Sequence, residues 1–359
     1  MKRAAVVHHH VSAPETGFPT LANKVAFLGT PAAYPEPVGE VTCRETHMSW
    51  VFLAGDKVYK LKKPVRLPYL NFSTLDRREA ACREELRLNR RLAPDIYLGV
   101  VPLVATQKGL SIGGRGATID WFVVMRRLAD PWALDHAIEE HRVSAFQLDR
   151  LVTTLGQFYR HAQRPFVSPA AQIVEWHRNI SSDCRVLLDR RFHLPSGLVR
   201  NIERAQRRFL DQRIGILARR VRERRIVDGH GDLRPEHIWL TDGIKIIDCL
   251  EFNIRLRTVD PIDEIAYLSL ECERLGAAWI GDYVKRGLAR VLHDDPEPEL
   301  FLFYRCHRAA LRARLAVAHL LEPNPRLPEK WVPRACAYLK IAGRDAMRLD
   351  RLLSRPRAQ

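Results

Sequence analysis

Read for hydrophobic spacing alone, the chain changes character once. From Val41 to about Arg127 its apolar residues come in short runs: Val41-Thr42-Cys43, Trp50-Val51-Phe52-Leu53 and Lys57-Val58-Tyr59-Lys60-Leu61-Lys62, then Val100 to Ala105 and Trp121 to Met125. Runs of this length and spacing predict strands. The glycine of Ala54-Gly55-Asp56 permits a tight reversal between the second and third. A helix is expected from Thr74 to Leu92, with Ser73 or Thr74 as its cap, Ala81, Leu86, Leu88 and Leu92 on its apolar side, and Pro94 as its stop.

Beyond Arg127 the pattern becomes helical. Segments 133–140, 144–162, 170–188, 197–225, 261–275, 278–292, 299–321 and 333–353 read as helices. One predicted β-hairpin interrupts them: Ile238-Trp239-Leu240, the turn Thr241-Asp242-Gly243, and Ile244 to Ile247. The expectation is an α+β chain in three parts. Residues 1–39 form an N-terminal arm with one helix-like patch, Leu21 to Leu28; 40–127 form a small antiparallel-sheet lobe with one main helix; 128–359 form a large helical lobe. No internal repeat is visible.

Composition narrows the class without naming a function. The 359 residues, 46% of them hydrophobic, have a mean hydropathy of -0.23 and suit a soluble globular protein. No apolar run approaches the roughly 18 to 20 residues of a membrane span, and His8-His9-His10 interrupt the start before a signal-length apolar region develops. A cytoplasmic location is expected. The seven cysteines are scattered and form no C-x-x-C pair, which argues for reduced, packed thiols over disulfides or structural zinc. The net charge of +16 is mostly arginine and would attract nucleotide, nucleic acid or an anionic substrate. No recognised nucleic-acid-reading motif accompanies it.

The chemistry concentrates in His230-Gly231-Asp232-Leu233-Arg234-Pro235-Glu236-His237 and in Ile246-Ile247-Asp248, on either side of the expected hairpin. Two carboxylates on successive loop and strand elements are what phosphoryl transfer needs: one to orient an acceptor hydroxyl, one to hold the metal that bridges nucleotide phosphates. The hairpin would bring Asp232 and Asp248 to the same end.

Through these motifs the chain resembles the aminoglycoside phosphotransferase-like branch of the protein-kinase-like fold, which uses His-Gly-Asp and a short Ile-Asp metal motif. The similarity extends to Glu45-Thr46-His47-Met48-Ser49-Trp50-Val51, Tyr59-Lys60-Leu61-Lys62-Lys63-Pro64-Val65 and Leu86 to Pro94, segments close to those of two-part proteins whose second half is a P-loop ATPase. It covers about residues 35 to 320. No G-x-x-x-x-G-K-[ST] motif occurs in this sequence, so that second half is not expected in it.

The resemblance implies a bilobal fold with ATP between the lobes and a small-molecule hydroxyl as acceptor. Lys60, at the family's distance from the turn, would reach the phosphates, with Lys62 as the reserve on the same strand face. Of Glu84 and Glu85, the helix partner is expected to be Glu85, which shares a face with Leu88 and Leu92. Thr46 and Ser49 would touch phosphate in place of a glycine-rich loop, and the strand end around Met125 and Arg127 would receive adenine. Asp232 is the expected catalytic carboxylate, oriented by His230, and Asp248 the expected Mg²⁺ ligand.

The pattern departs at His237, where the family has an asparagine as second metal ligand. Imidazole there is a poor partner for Mg²⁺ and a better one for Mn²⁺ or Zn²⁺, so that one metal is held by Asp248 alone, or Glu251 or Asn253 compensates, or the chain binds nucleotide as a regulatory pseudokinase. Arg305, Arg308 and Arg312 recur on one helix and suggest a stripe for an anionic acceptor. Asp260 is expected to cap the helix at Pro261.

Overall fold

The computed structural model describes residues 19–67, 69–322 and 325–354. The three histidines at 8–10 lie outside these. The chain divides into two compact units. The first runs to Trp132 and takes back Lys245–Leu256; the second comprises Ala133–Ile244 and the chain from Arg257 onward.

In the first unit, α1 (Leu21–Leu28) precedes β1 (Val41–Glu45), β2 (Ser49–Ala54) and β3 (Lys57–Lys62). The short pair β4 (Arg66–Leu67) and β5 (Leu70–Asn71), helix α2 (Leu75–Asn89), β6 (Tyr97–Thr106), β7 (Gly109–Ile112) and β8 (Ala117–Arg126) follow. The sheet is antiparallel in the order β1-β2-β3-β8-β6-β7. Gly55 makes the β2–β3 turn at φ 61, a conformation that glycine adopts without a Cβ penalty.

Strand alternation divides the residues of β3 between two cores. Tyr59 and Leu61 join Phe52, Phe122 and Leu103 in a cluster that also takes Leu28 and Tyr34. The segment expected as an arm is therefore, from Leu21, part of this core: Lys24 reaches in to bond Asp120 at 2.8 Å, and Arg78 holds the same carboxylate at 2.7 Å. Val58 points the other way, packing with Cys82, Tyr97, Val123 and Met125. Thr74 caps α2, as the sequence suggests, by accepting from the Arg77 amide.

The second unit contains α3 (Leu134–Glu139), α4 (Ala145–His161), α5 (Pro169–Leu187), α6 (Ser196–Arg222), β9 (Val227–Asp228) and β10 (Ile238–Trp239). Then come β11 (Lys245–Ile246) and all but the last residue of α7 (Ile254–Arg257), which belong to the first unit, and β12 (Thr258–Val259), α8 (Pro261–Arg274), α9 (Ala278–Leu292), α10 (Pro298–Ala318) and α11 (Trp331–Leu353). Its core is rich in small residues, including Ala309, Ala310, Ala313, Ala335 and Ala342, which let α10 and α11 approach closely. Asp260 caps α8 through the Ile262 amide. Among the described residues no helix is long and apolar enough to cross a membrane.

The two strands of the expected hairpin are two residues long each, and they fall in different units. The second strand and its continuation pack with the first unit through specific contacts. Ile247 joins the apolar cluster behind α2, Lys245 pairs with Asp95 at 2.5 Å, and Phe252 lies against Tyr69.

Candidate functional site

β3 and α2 build the first group of functional side chains. Lys60 and Lys62 emerge on the same face of the strand, and Glu85 points from the inner face of α2 with no solvent exposure. Lys60 Nζ donates to Glu85 Oε1 at 2.9 Å and to Asp248 Oδ1 at 2.5 Å. Lys62 Nζ donates to Glu85 Oε2 at 2.6 Å and to Glu251 Oε1 at 2.5 Å. The choice between the two lysines thus dissolves, because one carboxylate serves both. Glu84 faces outward and pairs with Arg87.

The electrostatics follow from this packing. Burial opposes the charge on Lys60, but Asp248, Glu85 and Glu251 outweigh it and hold the ammonium well above the usual lysine range. Burial likewise pushes Glu85 up, and the two lysines more than reverse that, keeping it ionised. Asp248 stands in a left-handed backbone conformation, φ 64, which Asp tolerates better than most residues. Its amide donates to the Tyr97 hydroxyl at 3.2 Å, and the next amide, of Cys249, donates to Asn89 Oδ1 at 2.9 Å.

The second group is the loop after β9. The backbone amides of His230 and Gly231 both donate to Glu264 Oε1 on α8, and Tyr159 donates to the other oxygen at 3.0 Å. Gly229 is required by close approach, since a Cβ there would lie 2.6 Å from Glu264 Oε2 and 2.7 Å from Val259. The Asp232 carboxylate accepts from Arg234 at 2.8 Å and from the Tyr267 hydroxyl at 3.1 Å. Burial would raise its pKa, but Arg234, His237 and Arg312 overcome that and lower it to about 2. His230 Nδ1 accepts from the Asp232 amide at 3.2 Å, an orienting contact within the loop.

His237 has a different occupation from the one its position suggested. Its Nδ1 lies 2.9 Å from the backbone oxygen of Asp232, so that nitrogen carries the hydrogen. Nε2 is then the acceptor and faces Arg234 Nη2 at 3.1 Å. Both ring nitrogens are thus engaged within the loop, the lone pair turned to the guanidinium.

The remaining expected residues are placed as follows. The Thr46 hydroxyl closes its own turn, donating to the Ser49 carbonyl and accepting from the Ser49 amide, both at 2.9 Å, and Ser49 is buried. Met125 is buried in the cluster behind α2, and Arg127 is exposed with its amide bonded to Asp56. The arginine stripe is neither a ligand surface nor a solvated face. Arg305 holds Asp345 and Glu273, Arg308 grips Asp263 with both arms, and Arg312 pairs with Glu271. Each charge is neutralised inside the unit.

Sequence reasoning missed Glu264, Tyr267, Arg234 and the tethering role of Glu251. Asp263 and Glu264 among Ile262, Ile265 and Ala266 were a usable signal, since acids in an otherwise apolar helix start need buried partners.

Comparison with known proteins sets the fold. No family model matches the chain. An uncharacterized protein of Mycobacterium tuberculosis (strain H37Rv) and one of Mycobacterium bovis are each 36% identical over 307 residues, covering 83% of this chain and 59% of their own lengths. The chain thus spans about three-fifths of these relatives. Among solved structures, the GDP complex of aminoglycoside 2'-phosphotransferase-IIIa superposes with a TM-score of 0.53 at 14% identity, covering 86% of this chain and 94% of that one. A choline/ethanolamine kinase family protein from Mesorhizobium loti gives 0.50 at 16%, covering 92% and 99%. Choline kinase from Cryptosporidium parvum gives 0.51 at 10%, covering 92% and 96%. The chain therefore has the protein-kinase-like α+β fold that these proteins share, as the His-Gly-Asp and Ile-Ile-Asp motifs led one to expect.

Proposed function

We propose that the chain is an ATP-dependent phosphotransferase that moves the γ-phosphoryl group to a hydroxyl of a small molecule. The observation that carries this reading is Lys60 held between a fully buried Glu85 and a partly exposed Asp248. An ammonium kept charged and aimed by a buried carboxylate is suited to nucleotide phosphates, and a partly exposed carboxylate beside it offers hard oxygen to Mg²⁺. The metal, when bound, would neutralise charge developing on the transferred phosphoryl group. Asp248 would hold it, without His237.

The first unit is then the nucleotide and metal half, and the second supplies the acceptor half. Asp232, ionised at any physiological pH, accepts a hydrogen bond from the acceptor hydroxyl and aligns it. A carboxylate of such low pKa is a weak base, which suits a loose transition state in which attack needs orientation more than deprotonation. Tyr267 and Arg234 hold its two oxygens, and Glu264 holds the loop. The internal pairing of Arg305, Arg308 and Arg312 removes the reason for an anionic acceptor. The cytoplasm, with its ATP and reduced thiols, is the compartment that fits.

The test is phosphoryl transfer to a panel of aminoglycoside, amino-alcohol and sugar acceptors, read by mass gain. ATP and GTP are supplied in turn, with Mg²⁺ or Mn²⁺, to wild type, Asp232→Asn and Asp248→Asn. Transfer by the wild type and its collapse in both variants is expected. Equal turnover in all three would refute the assignment. Tight nucleotide binding with no transfer to any acceptor would replace it with a nucleotide-binding regulatory module.

A further inference from the structure

Phosphotransfer as proposed above uses Lys60, Glu85 and Asp248, and leaves Lys62 and Glu251 without a task. These two are the dry half of the cluster. Their side chains are 1% and 8% exposed, against 16% and 44% for Lys60 and Asp248. The arrangement has a simple repeat. Two lysines two positions apart on β3 share the two oxygens of Glu85, and each reaches one of two acids three positions apart on the returning segment.

The two halves differ in what a ligand would do to them. A cation arriving at Asp248 competes with Lys60 for that carboxylate, and a phosphate arriving at Lys60 competes with Asp248 for the ammonium. That ion pair is therefore the one a loaded state loosens. Lys62 and Glu251 lie too deep to join that exchange. The amides of Asp248 and Cys249 fix the near side of the segment, and Glu251 fixes the side beyond them.

We propose that Lys62 and Glu251 form an anchor that ties the segment bearing Asp248 to β3, so that Asp248 exchanges Lys60 for an incoming metal while its backbone stays in place. This rests on the phosphotransfer reading for the identity of the cation. Both are positioning residues, acting on the metal through Asp248. Partners that orient a ligand without touching the metal typically change its affinity about 10- to 100-fold.

The experiment compares wild type with Glu251→Gln and with the double variant Lys62→Met/Glu251→Leu. The double replaces both buried charges with apolar groups of similar length, a change that folds often tolerate. Amide hydrogen exchange across 247–252 reads the anchor, and electron paramagnetic resonance of Mn²⁺ titrated with ATP reads the site. Exchange about tenfold faster and Mn²⁺ affinity about tenfold weaker are expected in both variants. Unchanged exchange in both overturns the anchor. Faster exchange with unchanged Mn²⁺ affinity overturns the positioning role and leaves a plain buried ion pair. A wild type that binds no Mn²⁺-ATP overturns the phosphotransfer reading and with it the cation exchange, while the exchange rates still decide the anchor.

Discussion

The lysines of β3 and the arginines of α10 look alike in sequence: basic residues spaced to share one face of an element. Their fates differ. On α10 every guanidinium closes on a carboxylate of its own unit, with Arg308 and Asp263 joined by two bonds of 2.8 and 2.6 Å. On β3 one glutamate holds two ammonium groups, and the cluster runs outward to Asp248, whose side chain is 44% exposed. Closed charge networks build a scaffold, whereas a network that opens on solvent at one end has capacity for a ligand.

The largest effect that would break this contrast is on turnover. Asp232→Asn should retain nucleotide binding and lose about 10²- to 10⁴-fold in single-turnover rate, and Asp248→Asn should fail at the same step with a raised metal requirement. Asp248→Asn turning over at the wild-type rate would make the exposed cluster as structural as α10.

The closed network should instead report on stability. Arg308→Leu strands Asp263 as a buried, unpaired charge and should cost about 3 to 5 kcal/mol in chemical denaturation. Adding Asp263→Leu should recover most of it. A recovery confined to the single variant's loss, with no change in transfer chemistry, would fix α10 as scaffold.

A smaller, pH-dependent effect sharpens the picture at Asp232. Its carboxyl is lowered from 3.8 to about 2 in the folded chain. A group depressed on folding stabilises the native state above its unfolded value and loses that contribution as pH falls through the folded one. Denaturation midpoints should therefore drop between about pH 4 and pH 2. Arg234→Gln should move the drop to higher pH, because the main lowering charge is gone. A profile identical to wild type would show that Arg234 does not hold Asp232.

The smallest effect belongs to Arg87→Ala. Its partner Glu84 is next to Glu85 in sequence but on the outer face of α2, and exposed pairs of this kind contribute about 0 to 1 kcal/mol. A near-neutral outcome beside a damaging Glu85→Gln would show that the helix face, more than the charge, determines the role.

Period two, period 3.6 and one capping threonine were enough to read five of the six strands of the sheet, α2 and the inward direction of Glu85, while β7 was not expected. The pairing of Lys60 and Lys62 was half legible: strand alternation put both on one face, but only tertiary distance shows that one glutamate can hold two ammonium groups. The ring orientation of His237 was not legible, because it is set by Arg234 and a backbone carbonyl, neither of which spacing reveals. The arginines of α10 were unreadable for a related reason. Their partners on α8 and α11 are 32 to 45 residues away.

The left-handed backbone at Asp248 bears on how such a chain could change over time. Asparagine occupies that conformation about as readily as aspartate, so exchanging one carboxylate oxygen for an amide nitrogen would leave the loop intact while removing the negative charge. On the proposed phosphotransfer reading, a descendant carrying that exchange would fold, keep Lys62 paired with Glu251, and fall silent as an enzyme in a single step. The distance between a working phosphotransferase and a sensor of nucleotide is, at this position, one atom.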